Sequence, residues 1–259
     1  MSDDPLAVTP RLGLGTMGIE EADRIASAID IGYRHLDTAQ IYDNEAVVGR
    51  GIERASVERG DLSLATKVWA DSLAPEEVAA STRESLDRLG VGYVDLLYVH
   101  RPIDAYDSDE TLPAFDRLRD EGRVRAVGVS NFDAEQVAEA REILDAPLAA
   151  NQVEMHPLYQ QDDLLADAQK NDYTLVAYSP LAQGEVFDVP EIRSVAEKHD
   201  VTPAQVSLAW LAGKDEVVPI PRSASDAHLR ENLAALDLEL DSDDVAAIES
   251  IDREEKLFE

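Results

Sequence analysis

Residues 13–18 read Gly13-Leu14-Gly15-Thr16-Met17-Gly18, with Asp37 further along the chain. Taken alone, this is the G-x-G-x-x-G fingerprint of a Rossmann unit, whose ribose-binding acid lies about 20 residues on. Such a unit needs a good strand running straight into its first glycine. Pro10 and Arg11 stand in that place here, and the apolar run before them, Leu6 to Val8, is very short. The competing reading is a glycine-rich turn at a strand end, where the backbone must bend or approach a ligand closely.

The rest of the chain decides between the two. Short apolar runs at 11–15, 34–38, 62–68, 94–99, 124–129, 149–153, 174–178 and 217–220 alternate with longer amphipathic stretches. Most runs lack strict alternation, as strands buried on both faces of a parallel sheet do. Ala22, Ile25, Ala26 and Ile29 recur at helical spacing within 20–31. Pro75 suits a first helical turn ahead of Val78, Leu86 and Leu89. Thr202-Pro203 reads as an N-cap followed by proline, with Val206, Ala209 and Trp210 as the apolar stripe. Extra helices are predicted at 191–199 and 242–251. Eight strand-then-helix units in about 250 residues predict an α/β fold, a single (β/α)8 TIM barrel over 1–259. It would carry short substrate loops and extra C-terminal helices. A Rossmann fold would leave the later units unexplained.

Composition narrows the partners. The 259 residues carry 54 acids against 23 bases, a formal net charge of −31, and 44% of them are hydrophobic. That hydrophobic share can bury a core, so the charge does not signal disorder. So acidic a chain is a poor ligand for nucleic acid or an anionic membrane. It contains no cysteine, which excludes disulfides and thiolate chemistry. No apolar run approaches the roughly 20 residues of a membrane span. Met1-Ser2-Asp3-Asp4-Pro5 has no basic region ahead of an apolar one, so no signal peptide is read and the expected location is the cytoplasm. Lysine occurs 5 times and arginine 18 times. The acidic excess, spread along the chain, reads either as a generic acidic protein or as a halophile's adaptation to high salt. At about 1 M salt the screening length falls to roughly 3 Å and self-repulsion is largely removed.

The predicted strands end on polar residues. In a barrel, active sites sit at that C-terminal face. Strand two ends near Asp37, strand three at Lys67, strand four at His100, strand five at Ser130-Asn131 and strand seven at Tyr178-Ser179. Strand six carries Gln152, and Tyr42 follows strand two. One aspartate at a strand end is often a helix cap, and one histidine a satisfied core residue. So many polar strand ends on one face are hard to assign to packing. Lys67 and Asp37 would pair, and an ammonium beside Tyr42 would lower its pKa from about 10. Tyr42 could then move a proton near neutral pH, while His100 could hydrogen-bond and orient a substrate oxygen. This suits carbonyl reduction, with the hydride supplied by a redox cofactor.

These residues also carry a family resemblance. Residues 32–39 (Gly32-Tyr33-Arg34-His35-Leu36-Asp37-Thr38-Ala39), then Tyr42, Asn44-Glu45 and Val48-Gly49, resemble the first signature of the aldo-keto reductases. Val94-Asp95-Leu96-Leu97-Tyr98-Val99-His100 resembles the second. Gly128-Val129-Ser130-Asn131-Phe132, Asn151-Gln152-Val153-Glu154, Ala177-Tyr178-Ser179-Pro180-Leu181 and Ile220-Pro221-Arg222-Ser223 continue it in order. The similarity spans 10–252 and is strongest to compact prokaryotic members similar to 2,5-diketo-D-gluconate reductases.

The resemblance implies that Tyr42 is the general acid, that Lys67 and Asp37 tune it, and that His100 orients the carbonyl. It implies NADPH across the barrel mouth, with NADH as the lesser alternative. Gly15, Thr16, Met17 and Asp37 would border the cofactor. Ser130, Asn131 and Gln152 would hold its carboxamide, and Tyr178 would stack on its ring beside Ser179. Leu181 would meet the pyrophosphate, Arg222 and Ser223 the 2′-phosphate, and Glu231 and Asn232 the adenine. His228 stands where the family frequently has arginine, which weakens the case for strict NADPH use. Arg101 follows His100 where tryptophan is common; it is either a solvated loop residue or a contact for an anionic sugar acid. Trp69 matches a pocket aromatic of the family, or simply packs at the rim. No metal is implied, and the five histidines show no metal-ligand spacing.

The short connections after His100 and Leu181 predict an open site for small carbonyls, keto sugars or sugar acids. The resemblance further implies a monomer. Two other readings stay open: a cofactor-sensing regulatory subunit of the same fold, and a barrel lyase or isomerase acting on phosphorylated substrates.

Overall fold

The computed structural model describes residues 11–258. The short apolar run at 6–8 lies outside them. Eight parallel strands run in chain order: β1 (Leu14–Gly15), β2 (His35–Asp37), β3 (Ser63–Val68), β4 (Val94–Val99), β5 (Val124–Ser130), β6 (Leu148–Glu154), β7 (Thr174–Tyr178) and β8 (Val217–Pro219). The helices are α1 (Ala22–Ile31), α2 (Glu45–Arg54), α3 (Pro75–Leu89), α4 (Ser108–Asp120), α5 (Ala134–Ile143), α6 (Asp162–Asn171), α7 (Pro190–His199), α8 (Pro203–Ala212), α9 (Asp226–Ala234) and α10 (Ser242–Glu249). The α/β barrel reading holds, and α7 and α10 are the two extra helices.

The opening glycines have a structural task. Gly13 N donates to Pro219 O at 2.9 Å and Gly15 N to Pro221 O at 3.2 Å, joining the first strand region to the last. A Cβ on Gly15 would stand 2.9 Å from the carbonyl oxygen of Ile220. Close approach of two backbones at the barrel seam therefore requires glycine there. β1 is shorter than the run at 11–15 because only Leu14 and Gly15 pair in register, with Leu36 and Asp37.

Register sets which side chains share a level. Lys67 lies opposite Tyr98, Ser130 opposite Gln152, and Glu154 opposite Tyr178. Most of the core fills the space between strands and helices, with Leu64, Leu97, Val127 and Leu175 fully buried. A smaller cluster of Ala65, Leu96, Tyr98, Ala126, Ala150, Val176 and Ile220 fills the barrel interior below the mouth.

The helix signals act as expected. Thr202 and Gln205 form a capping box at α8, with Pro203 in its first turn. α8 buries more than a stripe, since Ala204 and all of 206–212 are buried. It is enclosed by β8, α7 and α9, which an amphipathic pattern alone does not reveal. Among the described residues, no helix is long and apolar enough to cross a membrane.

Candidate active site

Asp37 and Lys67 stand at strand ends, 1% and 0% exposed. Lys67 Nζ donates to Asp37 Oδ1. It also donates to the carbonyl of Thr38 at 2.8 Å. The other Asp37 oxygen accepts from Gln152 Nε2 at 2.7 Å. A buried ion pair is tolerated when its remaining donors and acceptors are satisfied, and this one comes close. The ammonium also interacts with the Tyr42 hydroxyl and lies 5.2 Å from the centre of that ring. Burial alone would pull the Lys67 pKa down; Asp37 and Tyr42 outweigh it and hold the value above the ordinary one.

Tyr42 ends a single 3-10 turn, Gln40–Tyr42, directly after β2. Asp43 then takes a left-handed conformation, φ 53°, which lets the chain turn into α2. The Tyr42 pKa is raised, not lowered as expected. Burial pushes the phenol above 10.0, Lys67 pulls it back only in part, and Asp37 pushes it up again. Desolvation penalises the phenolate more than one cation, itself shared with a carboxylate, can repay. Tyr42 is therefore a neutral phenol at neutral pH.

His100 follows β4 and is 8% exposed. Burial first, then the charges of Lys67 and Arg101, bring its pKa down to about 3. Its ring meets Tyr42 and Trp69 edge-on, with centroids 6.0 and 4.9 Å away. Nδ1 is buried without a hydrogen-bond partner. An unmet acceptor is less costly than an unmet N–H, which favours the tautomer with its proton on Nε2. Trp69 is fixed through its backbone N–H, which donates to Gln40 Oε1 at 2.9 Å.

Beside this cluster lies a neutral network. Asn131, turned off β5 at φ 63°, donates from Nδ2 to the His100 carbonyl and to Ser130 Oγ, both at 3.0 Å. Ser130 Oγ donates to the Gln152 carbonyl at 2.8 Å, and Tyr178 OH donates to Asn131 Oδ1 at 3.0 Å. The loop after β7 holds three non-glycine residues in left-handed conformations: Ser179, Ala182 and Gln183. Such strain costs on the order of 1–3 kcal/mol per residue and clusters at ligand sites. Ser179 and Leu181 are half-buried in this loop.

The remaining expected residues make contacts of their own. Thr16 is buried, and both its N–H and its hydroxyl donate to the Asp37 carbonyl at 2.9 Å, tying β1 to β2. Met17 is 51% exposed. Arg222 is exposed, with Nη1 donating to the Met17 carbonyl at 3.2 Å. Ser223 Oγ accepts from Ser225 N at 3.1 Å, which shapes the loop into α9. His228 is exposed, Glu231 accepts from Thr202 Oγ1 at 2.5 Å, and Asn232 is buried with its side chain toward the Tyr33 hydroxyl. Arg101 is half-buried; its charge adds to the lowering of the His100 pKa and offsets part of the rise that burial imposes on the Tyr178 phenol.

This donor set fits a nicotinamide dinucleotide. Amide and hydroxyl groups converge beside a neutral histidine at the mouth, a strained loop follows, and the loop after β8 offers a guanidinium and a hydroxyl, groups suited to phosphate.

Two positions gain a task that their types alone did not reveal. Asn44 donates to the carbonyls of Thr16 (2.7 Å) and Ile19 (3.2 Å) and accepts from Thr38 Oγ1 (3.0 Å). It binds the loop after β1 to the loop that carries Tyr42. Buried Glu45 accepts from Thr66 Oγ1 at 2.6 Å and from Arg88 Nε at 2.8 Å, bracing the strand that presents Lys67. In the sequence they stand only as part of the motif that follows Tyr42.

Residues 11–253 match the model of the aldo/keto reductase family. The chain is 37% identical over 252 residues to an aldo-keto reductase of Mycolicibacterium smegmatis, covering 96% of this chain and 91% of that one. It is 37% identical over 254 residues to the methylglyoxal reductase DkgB of Escherichia coli O157:H7, covering 96% and 95%. A crystal structure of an aldo-keto reductase from a Medee basin deep-sea metagenome library superposes with a TM-score of 0.91 at 34% identity, covering 96% of this chain and 94% of that chain.

Proposed function

The chain belongs to the aldo/keto reductase family of oxidoreductases, and we propose that it reduces small aldehydes and ketones to alcohols with NADPH, Tyr42 supplying the proton. The observation that carries this reading is Tyr42 itself, a neutral phenol between the Lys67 ammonium and the neutral His100 imidazole.

His100 donates from Nε2 to the substrate oxygen and fixes it near the Tyr42 hydroxyl. Tyr42 gives its proton to that oxygen as negative charge develops there. Lys67 stabilises the phenolate left behind, and Asp37 keeps Lys67 in place. The cofactor, when bound, supplies the hydride. Ser130, Asn131 and Gln152 would hold its carboxamide, Tyr178 would offer its ring for stacking, Leu181 would meet the pyrophosphate, and Arg222 and Ser223 would receive the 2′-phosphate. Trp69 and Arg101 border the substrate.

Tyr42→Phe keeps the ring and removes the proton. Turnover, followed as NADPH consumption with a carbonyl panel, should fall by about 100- to 10,000-fold while NADPH binding stays within about twofold. A variant that retains most of its rate overturns the assignment. The net charge of −31 is read as adaptation to concentrated salt around this site. Structure and activity should then be kept in multimolar KCl and lost in dilute buffer, and full stability in dilute buffer refutes that part.

A further inference from the structure

Residues 250–258 leave α10 and return to the end of β6. Glu154, the last residue of β6, is 2% exposed. Its Oε1 accepts from the backbone N–H of Leu257 at 2.7 Å, and its Oε2 from that of Phe258 at 3.0 Å. His156 Nε2 faces the same Oε1 at 3.0 Å. A buried carboxylate is costly unless it is well hydrogen-bonded, and here two of its three donors belong to this segment. Glu255 N, which donates to the Leu158 carbonyl at 2.7 Å, anchors the segment further. The Phe258 ring then meets Tyr178 edge-on, with centroids 5.6 Å apart and planes at 79°. Tyr178 lies opposite Glu154 in the sheet register, and its hydroxyl is held by Asn131. The aromatic ring is thus fixed at its tip by one contact and along its body by another.

We propose that Glu154 is a positioning residue: it clasps residues 257–258 so that Phe258 braces Tyr178, and this clasp sets how tightly the nicotinamide cofactor is held. The inference rests on the reading of Tyr178 as the stacking surface for that ring. A ring already immobilised loses less freedom when a ligand stacks on it, so bracing raises affinity without touching the reacting atoms.

The test is a double-mutant cycle in the full chain. Wild type, Glu154→Gln, Phe258→Ala and the double variant are titrated with NADPH by quenching of tryptophan fluorescence, and each is melted without cofactor. Each single change should weaken the Kd by about three- to tenfold, the range expected for one edge-to-face pair. The double variant should bind no worse than about twofold below the weaker single one, because both act through one clasp. Two results overturn the proposal: singles that bind like a cofactor-competent wild type, or single effects that multiply. If Glu154→Gln melts at a much lower temperature, Phe258→Ala alone decides, since its half-exposed ring holds no core together. A wild type that binds no NADPH overturns the cofactor reading itself, and this proposal with it.

Discussion

Lys67 and Arg222 are both cations with a part in the proposed reaction, and their surroundings are opposite. Lys67 is fully buried at a strand end, tied to Asp37 and the Thr38 carbonyl. Arg222 is exposed on the loop after β8, with a 3.2 Å bond to the Met17 carbonyl. The proton-transfer cluster is preorganised by neighbouring strands. The proposed phosphate side would be an open grip that a ligand completes. Chemistry that moves a proton over a fraction of an ångström needs the first arrangement, whereas a charge that must enter and leave from water suits the second.

The contrast can be broken at either end. Lys67→Met should have the largest effect, because it strands the Asp37 carboxylate. Removing one partner of a buried pair costs about 3–5 kcal/mol, so the melting temperature should drop together with turnover. An unchanged melting temperature would mean that the mouth is not preorganised in this way. Arg222→Ala should leave the fold intact and raise the NADPH KM by about 10- to 100-fold, the equivalent of a charged hydrogen bond. The NADH KM should stay near its starting value; equal losses with both cofactors would remove the 2′-phosphate assignment.

A smaller effect concerns pH. The proposed reduction would require the protonated Tyr42, whose pKa lies above 10.0, and a neutral His100, whose pKa lies near 3. The kcat/KM for reduction should therefore stay flat from about pH 6 to pH 10 and fall only above that, as the phenol ionises. A fall centred near pH 8 would restore a lowered tyrosine pKa and contradict the dominance of burial over the Lys67 charge.

Much of this site was legible residue by residue. Asp37, Lys67, His100, Ser130, Asn131, Gln152 and Tyr178 each stand at or near the end of an apolar run, and parallel strands must deliver those ends to one face. The proposed phosphate side rests on the resemblance. Arg222 and His228 lie in a loop and on a helix, where no periodicity says what a side chain will face. Asn44, Glu45 and Glu154 had no visible role because their partners, Thr16, Arg88 and Phe258, are 28, 43 and 104 residues away.

The barrel, the polar strand ends and the family could be read along the chain, because strand period, helix caps and short motifs are local properties. The rest depended on the closed fold. It placed Gly13 and Gly15 at the seam between first and last strands, since only the closed sheet brings Pro219 and Pro221 to them. It also reversed the expected shift of Tyr42, because the pull of a nearby charge can be guessed from motifs, but the penalty of burial exists only once the chain has closed around the phenol.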